Sequence, residues 1–366
     1  MKFTIDRDSL MKPLQQVAGV VERRQTLPVL SNILLTVKKD RLSMIGTDLE
    51  VEMQTHAPLV NAETGEITIP ARKFLDICRA LPDQADIQLS LTDSRAVIRS
   101  GKSRFVLSTL SASDFPNIEI NNSILAFSVS QSILRNAIER SYFAMAQQDV
   151  RYYLNGMLFE INANHLTLVA TDGHRLAVYD TGESIETDDN QQVIVPRKGV
   201  IELMKLLSDD DQPIEIRLGN NFIRFSTNDT TFTSKLIDGR FPDYHNVVPK
   251  NTNKLAVCER EILRQALSRV SILSNEKYRG VRMTFTQGLL RVLAHNPEQE
   301  EAEEELAIDY QGEDLEIGFN VNYLVDAVSA GASEQIRLSL TDPNSCCLIE
   351  GVGEQDCQYV VMPMRL

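Results

Sequence analysis

At 366 residues the chain is too long for one hydrophobic core, so two or three domains are expected at the usual size of about 100 to 200 residues each. Hydrophobic residues at 43% and charged residues at 24%, with no low-complexity tract, exclude a disordered or fibrous chain, and a formal net charge of -14 counts against a conventional DNA binder, although a local basic stripe can coexist with an acidic exterior. Five cysteines (Cys78, Cys258, Cys346, Cys347, Cys357) without CxxC spacing suit neither a disulfide framework nor a zinc site; they read as reduced packing residues, and no cofactor is expected.

The opening MKFTIDRDSLMK has no signal-peptide core, and no run approaches the roughly 18 apolar residues that span a bilayer. A cytoplasmic protein without membrane contact is the expectation. From Phe3, FTIDRDSLMKPLQQVAG predicts a short alternating strand and then a helix with one apolar face. ILLTVKKDRLSMIGTD, from Ile33, predicts two strands around a turn. ITIPARKFLDICRAL, from Ile67, predicts a strand that gives way at Pro70 to an amphipathic helix. IQLSLTDSRAVIRSGKSRFVLSTL, from Ile87, reads as antiparallel strands around turns, closing at Phe115-Pro116.

The same order returns from Phe127 (FSVSQSILRNAIERSYF) and from Leu255 (LAVCEREILRQALSRVS), with Leu42, Leu166 and Leu290 each about 124 residues apart. Pro196 repeats the strand-to-helix boundary, and the repeats close at Phe241-Pro242 and Met362-Pro363. Three α+β domains are therefore expected, at residues 1–119, 126–248 and 253–366, each reading β-α-β-β then β-α-β-β-β with two helices covering one face of antiparallel sheet. Three such repeats in a row form an arc with two exposed ends, and head-to-tail pairing of those ends gives a ring. Neither the number of protomers nor the side on which the helices face follows from the pattern.

Thr171-Asp172-Gly173-His174-Arg175 holds an Asp and a His that could serve a general-base enzyme. The matching segments Thr47-Asp48-Leu49-Glu50 and His295-Asn296-Pro297-Glu298 instead make this position a turn at a strand end. No nucleophile elbow, phosphate loop or HExxH occurs, so no catalytic residue is expected. The acidic run Glu298, Glu300, Glu301, Glu303, Glu304, Glu305 is either a solvated face or half of an interface. Tyr359 to Leu366 is apolar for a chain end and reads as a docked last strand. A monomeric peptide-binding adaptor that never closes is the other alternative to a ring.

The motifs ATDGHRLAV (Ala170 onward), VPRKG (Val195), DGRFPDY (Asp238), LSNEKYRGVR (Leu273), NPEQEEAEE (Asn296) and the final YVVMPMRL together resemble the bacterial DNA polymerase III beta subunit, the sliding-clamp family, from Met1 to Leu366. The resemblance implies three tandem clamp domains, sheets outside and helices inside, closing as a head-to-tail homodimer around duplex DNA. It implies a non-catalytic processivity factor that tethers the replicative polymerase, without sequence readout, and recruits the clamp loader, translesion polymerases and mismatch-repair proteins.

Inward DNA contacts would come from Arg24, Lys73, Arg79, Arg135, Arg140, Gln148, Lys198 and Lys205, of which Arg24 and Gln148 resemble family contact positions. The dimer interface would set Lys73, Lys102 and Arg104, with Phe105 and Leu107, against Ile272, Leu273, Glu298, Glu300, Glu301, Glu303 and Glu304. A peptide groove would be formed by Leu154, Thr171, Gly173, His174, Arg175, Leu176, Pro242, Val247, Tyr278, Asn320, Tyr323, Val360, Met362, Pro363, Met364, Arg365 and Leu366. The chain departs from the family pattern at Asn246, Tyr278, Asn344 and Cys346, which bears on groove preference rather than on its existence.

Overall fold

The computed structural model describes residues 1–22, 27–116, 123–162, 165–185, 187, 190–250 and 252–365. The first repeat runs β1 (Lys2–Asp6), α1 (Arg7–Val20), β2 (Asn32–Lys38), β3 (Arg41–Thr47), β4 (Val51–Pro58), β5 (Gly65–Pro70), α2 (Ala71–Ala80), β6 (Asp86–Thr92), β7 (Arg95–Ser100) and β8 (Ser103–Ser108). The second repeats this order as β9 (Ser123–Ser130), α3 (Gln131–Glu139), β10 (Gly156–Asn162), β11 (His165–Thr171), β12 (Arg175–Asp180), β13 (Gln191–Pro196), α4 (Arg197–Leu206), β14 (Pro213–Gly219), β15 (Phe222–Ser226) and β16 (Thr230–Lys235). The third comprises β17 (Lys254–Glu259), α5 (Arg260–Val270), β18 (Gly280–Thr286), β19 (Leu289–His295), β20 (Glu301–Ala307), a two-residue β21 (Asp309–Tyr310), β22 (Leu315–Asn320), α6 (Val321–Ala330), β23 (Gln335–Leu340), β24 (Cys347–Gly351) and β25 (Cys357–Val361).

The first two repeats thus hold one strand more than the sequence pattern predicts and the third two more: β4, β12 and β20 follow the expected hairpins, and the two-residue β21 comes after β20. Of these, β4 and β12 join the repeats. The chain divides into two compact units, residues 1–132 with 201–236 and residues 133–200 with 237–366, which cut across the repeats.

In the first unit, a four-stranded sheet has the order β1-β6-β7-β8 and an eight-stranded sheet the order β5-β2-β3-β4-β16-β15-β14-β9. The seam between repeats is the antiparallel pair β4 and β16, with Val51 opposite Ser234. α1 packs over β3 and β4 because Leu10, Leu14 and Val17 recur on one face and are fully buried. Its start is fixed by the Asp6 side chain, which accepts from the Ser9 amide at 2.8 Å.

In the second unit, the nine-stranded sheet runs β13-β10-β11-β12-β25-β24-β23-β17-β21, and its seam is β12 with β25, Arg175 lying opposite Val361. A four-stranded sheet, β20-β19-β18-β22, completes this unit. α5 and α6 pack together. Pro70 and Pro196 end strands immediately before helices, as expected; in the third repeat Asn320 takes that place and its side chain caps α6 by accepting from the Asn322 amide at 2.9 Å.

Cys78, Cys258, Cys347 and Cys357 are buried and Cys346 is half-buried. Burial pushes the Cys78 and Cys258 thiols up to about 12, which suits packing rather than reactive chemistry.

Candidate functional site: a pocket at the second seam

The turn from β11 to β12 is built by local hydrogen bonds. Asp172 Oδ1 accepts from the amides of His174 (2.9 Å) and Arg175 (3.0 Å), while the Thr171 hydroxyl accepts from the Gly173 amide at 3.0 Å. The first repeat builds the same turn, with Asp48 Oδ1 accepting from Glu50 and Val51 and the Thr47 hydroxyl accepting from Leu49. Asp172 and His174 are therefore parts of a structural turn common to two repeats, and their side chains are not aimed at one another as acid and base. Gly173 sits at φ +87°, a conformation that favours glycine although Leu49 adopts it at φ 78° in the first repeat, and a Cβ there would press on the Arg151 guanidinium at 2.8 Å.

Leu154, Thr171, Gly173, Arg175, Leu176, Pro242, Val247, Val360 and Met362, nine of the expected groove residues, line one cavity of about 230 Å³. Three further lining residues, Arg151, Tyr153 and Tyr244, were not expected. Arg151 is gripped by Asp149 through Nε (3.0 Å) and Nη2 (2.8 Å), and these bonds hold the Asp149 carboxyl down at about 2. Tyr244 donates to Glu160 and belongs to the apolar floor, where Leu158, Leu176, Phe241, Leu348 and Val360 are buried together. Cys346 packs on that floor and contacts the Val247 carbonyl at 3.6 Å, and Asn246 is turned to Asp243 at 2.8 Å.

The other groove residues lie beside this cavity. Tyr278, Met364 and Arg365 line a neighbouring hollow of about 410 Å³ with Asn275, Gly280, His295, Asn296 and Pro297. The tail between the two is pinned by main-chain bonds, Met362 N to His174 O (2.9 Å) and Met364 N to Gly318 O (2.9 Å), with Pro363 between them. The His174 ring stacks on Tyr323 at 6.4 Å between centroids, and Asn320 caps α6. Leu366 lies outside the described residues. A cleft of about 950 Å³ in the first unit is open and mostly polar, lined by residues such as Asp8, Lys12, His56, Gln131 and Asp229.

The residues expected to face DNA have varied environments. Lys73 and Arg79 on α2 and Gln148 (φ 55°) are exposed. Arg135 pairs with Glu139 at 2.9 Å along α3, Lys205 with Glu202 at 2.8 Å along α4, and Lys198 is half-buried. Arg140 points into its own unit, its side chain 17% exposed among Glu354, Asp356, the Cys357 thiol and the Tyr179 ring. Arg24 lies outside the described residues.

Of the expected interface residues, Lys73, Lys102, Arg104, Glu298, Glu300, Glu301 and Glu303 are exposed, and Ile272 is 75% exposed. Phe105 and Leu273 are half-buried and Leu107 is buried. Glu304 faces the opposite side of β20 and is held by Arg269 of its own chain at 2.6 Å.

Three successive domain families of the DNA polymerase III beta subunit match the chain: the N-terminal domain over residues 1–119, the central domain over 128–243 and the C-terminal domain over 245–365. The beta sliding clamp of Pseudomonas putida is 56% identical over 367 residues, and that of Escherichia coli K12 is 52% identical over 369, each comparison covering 100% of both chains. A solved structure of a sliding clamp from Pseudomonas aeruginosa bound to griselimycin superposes with a TM-score of 0.98 at 55% identity, again over 100% of both chains.

Proposed function

The chain belongs to the DNA polymerase III beta subunit family, the beta sliding clamps, and from that premise we propose that two copies close head to tail into a ring around duplex DNA. It is a non-catalytic processivity subunit, a clamp that tethers the replicative polymerase.

The observation that carries the ring is the pattern of seams. Within the chain, β4 pairs with the last strand of the following repeat and β12 with the last strand of the repeat after that. β20, third of the series, and β8, last strand of the first repeat, are both sheet edges. An unpaired edge is an aggregation hazard, and β20 of one copy against β8 of another would complete a third seam like the other two.

The register follows by correspondence. Gln54, Val178 and Glu303 lie opposite Ile45, Val169 and Leu293, which are spaced like the repeats, and across the two existing seams Gln54 faces Thr231 and Val178 faces Gln358. Arg104 occupies the place of Thr231 and Gln358 in β8, so it falls opposite Glu303 of the partner copy, and Lys102 falls opposite Glu305. Phe105 and Leu107 then point to the side of the sheet on which Ile272 and Leu273 lie, beside β19 and β20. Arg291 already reaches Glu303 (3.3 Å) and Glu305 (2.9 Å), so the apolar residues supply most of the affinity and the charges the register.

A closed ring also accommodates the net charge of -14, since a topological link needs only weak, screened contacts to phosphate. Lys73, Arg79, Gln148 and Lys198, with Arg24, are the residues we assign to such contacts; to Arg140, half-buried among acidic and aromatic partners, we assign a structural role instead. The cavity at the second seam takes linear peptides of the polymerase, the loader and repair proteins. Its apolar floor, the flexible Met362 and few polar groups suit many occupants in turn. The place of action is chromosomal DNA in the bacterial cytoplasm.

The test is primer extension on a long single-stranded template with the replicative polymerase, its clamp loader and ATP. Products in a single binding event are expected to lengthen about 10-fold or more when the protein is added, since a tethered polymerase rebinds at high effective concentration. Unchanged product length would contradict the assignment.

A further inference from the structure

The two seams within the chain differ at one set of corresponding positions. At the second seam, Arg175, the first residue of β12, spreads its guanidinium over three elements. Nε donates to Asp172 at 3.1 Å, Nη2 to the Phe143 carbonyl at 2.8 Å, and Nη1 to Asp326 on α6. The cation also lies 4.6 Å from the centre of the Tyr323 ring and 5.3 Å from that of Phe143. Its side chain is only 13% exposed.

At the first seam, the first residue of β4 is Val51, the counterpart of Phe143 is Gly19, and the counterpart of Asp326, sixth residue of α6, is Glu202, sixth residue of α4. No bridge can form there, because valine has no donor. Glu202 turns to Lys205 instead, and the crevice is an open cavity of about 190 Å³ lined by Gln15, Gln16, Gly19, Met53, Glu202 and Lys205. The arginine bridge and the Phe143 ring fill at the second seam what stands empty at the first.

We propose that Asp326 is a positioning residue of the peptide groove: through Arg175 it ties α6 to the turn from Thr171 to Arg175 and so fixes the wall formed by Thr171, Gly173 and Leu176. Asp326 does not itself line the cavity; its action is on Arg175, which does. Without its carboxylate, the cation keeps only Asp172 as a charged partner, and its hold over the face of Tyr323, which also stacks on His174, loosens. The role rests on the reading of this cavity as the peptide site.

The probe is griselimycin, which the Pseudomonas aeruginosa clamp binds, titrated by calorimetry against the full-length protein. Because Asp326 is 44% exposed, Asp326→Asn is expected to weaken binding by roughly 3- to 10-fold rather than abolish it. Asp326→Glu should regain most of the loss, and in an Arg175→Met background Asp326→Asn should add nothing. Amide hydrogen exchange at His174 and Arg175 should quicken in Asp326→Asn while the melting temperature holds, a response that general loss of stability would not give. Wild-type affinity and unchanged exchange in Asp326→Asn, or losses that simply add to those of Arg175→Met, would overturn the positioning role alone. Failure of the wild-type protein to bind griselimycin would overturn the groove reading as well.

Discussion

Alanine at both Ile272 and Leu273 should turn a stable dimer into monomers at nanomolar concentration. Ile272 is 75% exposed on a short helical turn that packs on β19 and β20, an unusual place for an apolar side chain unless another surface covers it. If Phe105 and Leu107 of the partner copy are that surface, each truncation costs about 2 to 5 kcal/mol of packing, and the dimer Kd rises by about 10³-fold or more. Mass photometry reads this directly, and an unchanged dimer would refute the interface. Charge reversal checks the register: Arg104→Glu should weaken pairing by only about 1 kcal/mol, because exposed pairs are worth little, and Glu303→Arg on the same chain should restore it. Rescue by reversal at Glu301 instead would shift the register by two residues.

Ending the chain at Val361 should weaken peptide binding by about 100-fold and leave the ring intact. β25 closes at Val361 and keeps its ladder to β12 and β24, so among the described residues the main-chain bonds lost are those from Met362 and Met364. The cavity loses Met362, and its neighbour loses Met364 and Arg365. Met362 and Met364 are open to solvent in part, and two apolar anchors that a bound peptide covers are worth about 3 kcal/mol together, so griselimycin affinity should fall by about 100-fold while dimer mass and melting temperature stay close to wild type. Retained affinity in the truncated protein would place the binding site elsewhere.

Most of the architecture was legible in the sequence because a repeat of about 124 residues shows three times over where strands and helices alternate. What escaped were β4, β12, β20 and the two-residue β21. β12 is buried on both faces at the middle of a sheet, so its apolar residues run together without alternation. β20, EAEEELA, has almost no apolar residue to alternate, since its exposed face carries Glu301, Glu303 and Glu305. Both are strands because of the neighbours they pair with, a tertiary cause that no local pattern carries.

The pocket shows the same division. Leu176, Pro242, Val360 and Met362 were found through motifs in the chain, but Arg151 and Tyr153 sit in a short turn with no period of its own, and Tyr244 was passed over although it closes the DGRFPDY motif that holds Pro242. Arg140 was placed among the DNA-facing residues because its acidic and aromatic partners, Glu354, Asp356 and Tyr179, are distant in sequence. The equivalence of the turns at Asp48 and Asp172, by contrast, was visible from residue type alone, and it removed His174 from consideration as a base.

Whether the link to DNA is topological is decided by loading the protein onto nicked circular plasmid and measuring its retention in high salt before and after a restriction enzyme cuts the circle. A ring that holds DNA by encirclement stays on the circle at salt that screens phosphate contacts, and slides off once the DNA has ends. Equal loss from circular and linear DNA at moderate salt would mean that charge alone holds the protein, and would contradict the ring.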